Sequence, residues 1–237
     1  MESMDNNAVE VKAEPKGLAL KGIYEVFYKP SELFQSLKDN PKILVPYIIL
    51  VIILSIQMFL LSDLIVEMQL NSPEMQEQFQ GQTPPPQVVN MMKYSVLIGG
   101  ILAFTLLPLI TAALALFFGN FVMGGQAKFS QLLSVMLYSG IIYMVGGLIV
   151  APMMLAKGTM MVSLSFAILA AGQGFESFAY TALSKIGLFY IWEFIVAGIG
   201  LSIIYNFKRN KGYILSVLSV GLMSIIHVII ALVKEML

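Results

Sequence analysis

The sequence predicts an all-α fold: a polytopic bundle of five transmembrane helices, with the N-terminus cytoplasmic and the C-terminus outside. Three observations carry that prediction. Ile43–Ser62, Tyr94–Ala127, Phe129–Ala156 and Gly212–Val233 contain no Asp, Glu, Lys or Arg, and Ile186–Asn206 contains only Glu193. About 20 apolar residues in a helix cross the hydrocarbon core of a bilayer. Composition agrees: 58% of the 237 residues are hydrophobic, only 12% are charged, and mean hydropathy is +0.83. A soluble globule carries about twice that share of charge. The third observation is the placement of Lys and Arg, which are retained on the cytoplasmic side. With five spans and the N-terminus inside, ten fall on the inner side (Lys12, Lys16, Lys21, Lys29, Lys38, Lys42, Lys128, Lys208, Arg209, Lys211) and four outside (Lys93, Lys157, Lys185, Lys234).

The elements follow in order. Residues 1–16 mix acidic and basic groups with Pro15 and show no periodicity, so they are expected to form a disordered cytoplasmic tail. No short basic-then-apolar leader is present, and the first span reads as an uncleaved signal-anchor. Over 17–41 the chain becomes amphipathic. Leu18, Ile23, Tyr24, Val26 and Phe27 recur at three- and four-residue steps, with Lys21 and Glu25 between them. This is the pattern of a helix lying in the inner interface. Pro30 ends it, Ser31 is placed to cap a second short helix bearing Leu33, Phe34 and Leu37 on one face, and Asp39–Asn40–Pro41 turns the chain into the membrane.

The membrane domain then occupies 42–233, with spans at about 42–62, 94–118, 131–151, 186–206 and 213–233. The outer loop 63–93 contains a stretch with helical character, Glu67–Phe79, and ends in Thr83–Pro84–Pro85–Pro86, read as a stiff spacer. Pro108 is expected to bend the second span, and Pro152 to stop the third. Thr159–Ala171 is apolar but too short to cross, so 158–185 reads as an interfacial or re-entrant segment of the outer leaflet. The last two spans form a hairpin about the basic turn Lys208–Lys211.

Small residues one turn apart, Gly99/Ala103, Ala115/Gly119, Gly147/Ala151 and Gly198/Ser202, allow close helix packing where lipid provides no hydrophobic drive. Glu193 and His227 are the two ionisable residues deep in the membrane, each 17 residues from Asn210. A hairpin centred there places them at similar depth, as a clasp or as a proton-responsive polar pair. Gln57, Thr105 and Thr111 add interhelical hydrogen-bond capacity. With one histidine and no cysteine, multi-histidine zinc motifs, thiolate sites and disulfides are excluded. No metal, cofactor or nucleic-acid site is expected, and no enzymatic constellation is legible.

Three passages resemble the YIP domain family, integral membrane proteins named for interaction with Ypt/Rab-type GTPases. Phe27–Tyr28–Lys29–Pro30–Ser31–Glu32–Leu33–Phe34 followed by Asn40–Pro41 is similar to the entry of prokaryotic members. Gly124–Gly125 with Phe129, Leu132–Leu133 and Tyr138–Ser139 resembles the opening of their third span. Gly187–Trp192 with Ala197–Leu201 resembles the fourth. Where family members often carry a proline in the third span, Ile142–Tyr143–Met144 stands here, and the long cytosolic region of eukaryotic members is missing. The resemblance implies a five-span, N-in protein of the bacterial cytoplasmic membrane that acts through lipids or other membrane proteins.

Three readings of function stand side by side. The first is a non-enzymatic scaffold or accessory subunit working through partner membrane proteins, with an ABC-type exporter or an envelope-stress system as candidate partner. The second is a small transporter or channel using Glu193 and His227. The third is a membrane-shaping protein, with 17–38 and 158–175 wedged into opposite leaflets. Self-association is compatible with each.

Overall fold

A computed structural model describes residues 18–174 and 177–236. The expectation for residues 1–16 lies outside the described residues. The chain is all-α, as its patterning predicts. Four helices among the described residues are long and apolar enough to cross a membrane, and the count is five if Arg209–Gly221 and Ser224–Met236, bent by 51° to each other, form one span. In order these are α1 (Leu18–Tyr28), α2 (Pro30–Leu37), α3 (Leu44–Leu70), α4 (Pro73–Gln78), α5 (Pro86–Leu116), α6 (Phe129–Lys157), α7 (Phe178–Ser184), α8 (Leu188–Tyr205), α9 (Arg209–Ser216) and α10 (Leu222–Met236). One π-helical turn, Phe117–Val122, extends α5, and another, Val217–Gly221, joins α9 to α10.

Helix α6 is the centre of the bundle: 72% of its apolar window is buried, against 22% in α3 and in α5. It carries Leu132, Leu137, Tyr138, Ile141 and Ile142 into a core completed by Leu50 and Leu54 from α3 and Leu201 from α8. The outer helices turn Ile48, Ile52, Ile56, Ile98, Leu102 and Leu106 outward, the arrangement expected where the surroundings are lipid rather than water.

The amphipathic start of the chain folds onto the bundle. Leu33, Phe34 and Leu37 are buried, the face their spacing defines. Two local expectations change. Lys29 precedes Pro30, which takes the first helical position, so Ser31 lies inside α2 and caps nothing. Glu25 is buried against α6 with Lys21 at 2.8 Å, while Tyr24, counted with the apolar set, points outward. The phenolic ring of Tyr138 makes room for α1 only because residue 22 is glycine: a Cβ there would stand 2.8 Å from Tyr138 Cε1.

Helices α3, α5 and α6, of 27, 31 and 29 residues, are longer than the spans expected for them. Pro86 opens α5, so the proline run initiates a helix as well as spacing the loop. Helix α6 continues through Pro152 to Lys157 and ends at Gly158, whose φ of +61 supplies the left-handed cap. Proline 152 therefore does not stop the span.

A network of polar contacts ties together the lysine-rich end. Lys38 Nζ donates to Asn206 Oδ1 at 2.5 Å, Gln131 Nε2 to the Lys38 carbonyl at 2.6 Å, and Ser134 Oγ to the Lys42 carbonyl at 3.1 Å. At the opposite end, α8 is short. Gly200 packs on Val135, and from that level α8 rises only about 18 Å to Leu188 while α6 rises about 33 Å to Lys157. Above α8 lie residues 159–174 and 177–187, which contain a 3₁₀ turn (Phe166–Gln173) and α7. Phe166, Ile168 and Leu169 of this segment face outward.

Candidate functional site

The early end of α8 creates a cavity of about 560 Å³. Its roof is pinned by backbone pairing: Leu188 N–H donates to the Leu164 carbonyl at 3.0 Å and Phe166 N–H to the Ile186 carbonyl at 3.2 Å, across the bridge between Ser165 and Gly187. One wall is largely apolar, built from Leu50 and Leu54 of α3 and Phe104 and Leu107 of α5, with Gln57 and Thr111 as its polar members. The facing wall is polar, with Tyr190 and Glu193 from α8 and Ser224 and His227 from α10; Lys185, Ser163 and Ser165 stand at the mouth.

Two glycines of α6 make the cavity's shape possible. A Cβ at Gly147 would lie 2.1 Å from Gln57 Nε2, and one at Gly146 would lie 2.3 Å from the Phe189 ring, whereas Gly140 has room for a Cβ at 3.8 Å from Glu193 Oε1. Polar and aromatic side chains from α3 and α8 thus occupy the volume that side chains on α6 leave free. Tyr143 and Tyr190 meet edge to face at 6.3 Å, and the Tyr190 hydroxyl pairs with Ser224 Oγ at 2.6 Å, joining α8 to α10.

Glu193 and His227 both line the cavity, and no hydrogen bond or ion pair joins them among the described residues. Their depths differ from the expectation. Gly212 faces Gly198, and Ser216 Oγ donates to the Phe194 carbonyl at 2.9 Å, so the hairpin is centred near residue 205 and not at Asn210. The reason is local: Asn206 adopts a left-handed φ of +54 and closes the turn early, and Arg209 already begins the next helix. By this register and the Tyr190–Ser224 pair, Glu193 stands opposite residues 217–221. His227 lies six to ten residues farther along.

The small-residue positions divide. Gly198 and Ser202 meet Gly212 and Tyr213 at the α8–α9 crossing. Ala115 and Gly119 hold Tyr205, whose hydroxyl donates to the Ala115 carbonyl at 3.1 Å. Gly147 takes Gln57, and Ala151 is buried against Leu61. Gly99 and Ala103 face outward, and the adjacent Gly100 is the residue that meets Met58. The Gly124–Gly125 pair has a clear physical basis. Gly124 has φ +70, and a Cβ at Gly125 would lie 2.3 Å from Tyr205 Cδ1.

Lysine 185 is the residue that patterning missed. It is half-buried at the cavity mouth, and burial holds its ammonium below the ordinary lysine range. Sequence shows it only as one more outer lysine, because its environment is tertiary: it lines the same cavity as Met160 and residues 162–165.

Fold and cavity define a polytopic helical membrane protein with a mixed polar and apolar chamber inside its bundle. The chain matches the Yip1 domain over residues 24–232 and belongs to that family. Comparison with curated proteins and with solved structures returned no match.

Proposed function

We propose that this Yip1-domain protein is a non-enzymatic accessory subunit that works through partner membrane proteins, oriented with its lysine-rich end in the cytoplasm. The observation that carries this reading is the exposed stripe of α1. Leu20, Tyr24 and Tyr28 follow at four-residue steps and are 54%, 71% and 64% exposed, while Val26 and Phe34 behind them are fully buried. A helix fixed on one face and aromatic on the other is suited to hold a neighbouring helix. An exporter or envelope-stress complex in a bacterial cytoplasmic membrane is the class of partner we favour. Purification from native membranes in mild detergent tests it. Stoichiometric recovery of a membrane complex from the wild type, lost when Leu20, Tyr24 and Tyr28 are all changed to Ser, is the expected result. Recovery of the protein alone, or deformation of liposomes by it, counts against it and favours membrane shaping.

A second reading is favoured by Glu193 and His227 lining one cavity. Two titratable groups at different depths are the elements of a proton-responsive transport path. Proton flux into proteoliposomes that disappears in Glu193→Gln is its test.

A further inference from the structure

We propose that the cavity is a phospholipid site, in which the phosphate of a lipid from the leaflet at the α7 end pairs with Lys185 while an acyl chain lies along the wall formed by α3 and α5. This does not rest on the accessory reading above. The volume of about 560 Å³ falls within the roughly 300–1,000 Å³ of ligand sites. Its occupant comes from the bilayer, because the rim is open to it: Phe104, Leu107 and Leu188 line the cavity and are 39%, 37% and 61% exposed.

The chemistry of the mouth selects a phosphate. No carboxylate pairs with Lys185 among the described residues, whereas Lys93 at the same end is neutralised by Asp63 at 2.5 Å. A half-buried cation without a counter-charge is stabilised by an incoming anion. Ser163 and Ser165 Oγ atoms lie 2.7 Å apart at the same mouth. One hydroxyl proton serves that contact, which leaves the other free to donate to an acceptor oxygen. Desolvation lowers the Lys185 pKa, and a bound phosphate opposes that shift.

Lys185 fixes the direction of entry. It is the one Lys or Arg among the residues lining the cavity, and the α8 wall beyond it presents the Glu193 carboxyl, which offers a phosphate no counter-charge. The headgroup therefore stays at Lys185. The opposite wall offers the chain Leu50, Leu54, Phe104 and Leu107, with no polar atom among their side chains. Apolar burial of this kind contributes about 0.8 kcal/mol per CH₂ group, so the chain adds affinity that a free phosphate lacks.

The experiment uses the full-length protein, purified in detergent and stripped of lipid. Binding of dioctanoyl-phosphatidylglycerol is read by native mass spectrometry and by the rise in melting temperature. Dioctanoylglycerol, which has the same chains without phosphate, and inorganic phosphate, which has no chains, are the comparison ligands. The expected result is a one-to-one phosphatidylglycerol adduct, with both comparison ligands at least tenfold weaker. Lys185→Gln loses tenfold or more, Lys185→Arg keeps the affinity, and Lys93→Gln leaves it unchanged. The lipid-free melting temperature of Lys185→Gln verifies that it folds. Equal binding of dioctanoylglycerol overturns the proposal, as does unchanged affinity in folded Lys185→Gln. Equal binding of inorganic phosphate would make the mouth a free-anion site and overturn it too.

Discussion

Gly212 lies directly against the carbonyl oxygen of Gly198: a Cβ on Gly212 would stand 2.3 Å from it and 2.6 Å from Ser202 Cβ. The contact is backbone on backbone, and no rotamer change can relieve it. Gly212→Ala is therefore expected to lower stability by about 1–3 kcal/mol through overpacking, read as the melting temperature in mild detergent. Gly99→Ala is the control. Nothing lies within 4 Å of its added Cβ, and the helical preference of Ala over Gly predicts no loss.

A second close approach is of a different kind. Gly147 faces the end of a flexible side chain, with Gln57 Nε2 at 2.1 Å from the added Cβ. Gly147→Ala is expected to destabilise, and Gln57→Ala in the same chain to restore most of the loss. The double-mutant cycle should show a coupling of roughly 0.5–3 kcal/mol. Independent effects would mean that Gln57 does not hold the α3–α6 contact.

These two glycines show how much of the fold the sequence carries. Charge-free stretches locate the spans because charge is costly in hydrocarbon, and the buried face of Leu33, Phe34 and Leu37 follows from spacing alone. Three features are not legible in this way. Glu25 is buried because α6 supplies a tertiary setting for the Lys21–Glu25 pair. The apolar run 186–206 yields the span Leu188–Tyr205, but its start below the far end of α6 depends on residues 159–174 and 177–187 packing above it. The hairpin register depends on the conformation of Asn206, which composition does not encode. Together the last two create the cavity and separate Glu193 from His227. Glu193 and His227 are therefore visible individually in the sequence, and their arrangement and the role of Lys185 are not.

That separation has a thermodynamic consequence. Glu193 and His227 stand six to ten residues apart in the hairpin register and share no hydrogen bond among the described residues. Sites without direct contact add within about 0.5 kcal/mol. Glu193→Gln and His227→Gln are expected to change the melting temperature additively. A larger coupling would show that the two side chains meet as a clasp.

Lysine 185 gives a pH dependence with a defined sign. Burial lowers its pKa in the folded protein from the ordinary 10.5. Between the folded value and 10.5 the unfolded chain binds more protons, so stability contributed by this group rises with pH across that window. Below the folded value the desolvation cost is complete. In lipid-free protein Lys185→Gln should melt higher than wild type at pH 7, and the difference should shrink as pH approaches 10.5. A difference constant with pH would show that the ammonium is not desolvated.

The 51° bend between α9 and α10 makes both crossing number and orientation testable at three points. The chain contains no cysteine, so each introduced thiol reports alone. Gln82 lies in the loop between α4 and α5, Asn210 in the first turn of α9, and Met236 at the end of α10, and all three are exposed. The α10 terminus is tied to α7, because Phe178 N–H donates to Glu235 Oε2 at 3.1 Å. If α9 and α10 together cross the bilayer, Met236→Cys shares a side with Gln82→Cys. With the lysine-rich end cytoplasmic, an impermeant maleimide should label 82 and 236 in intact cells and label 210 only after lysis. Labelling of 210 alone would invert the protein. Labelling of 82 without 236 would show that the 51° bend returns the chain to the side it came from, leaving four crossings and both termini in the cytoplasm.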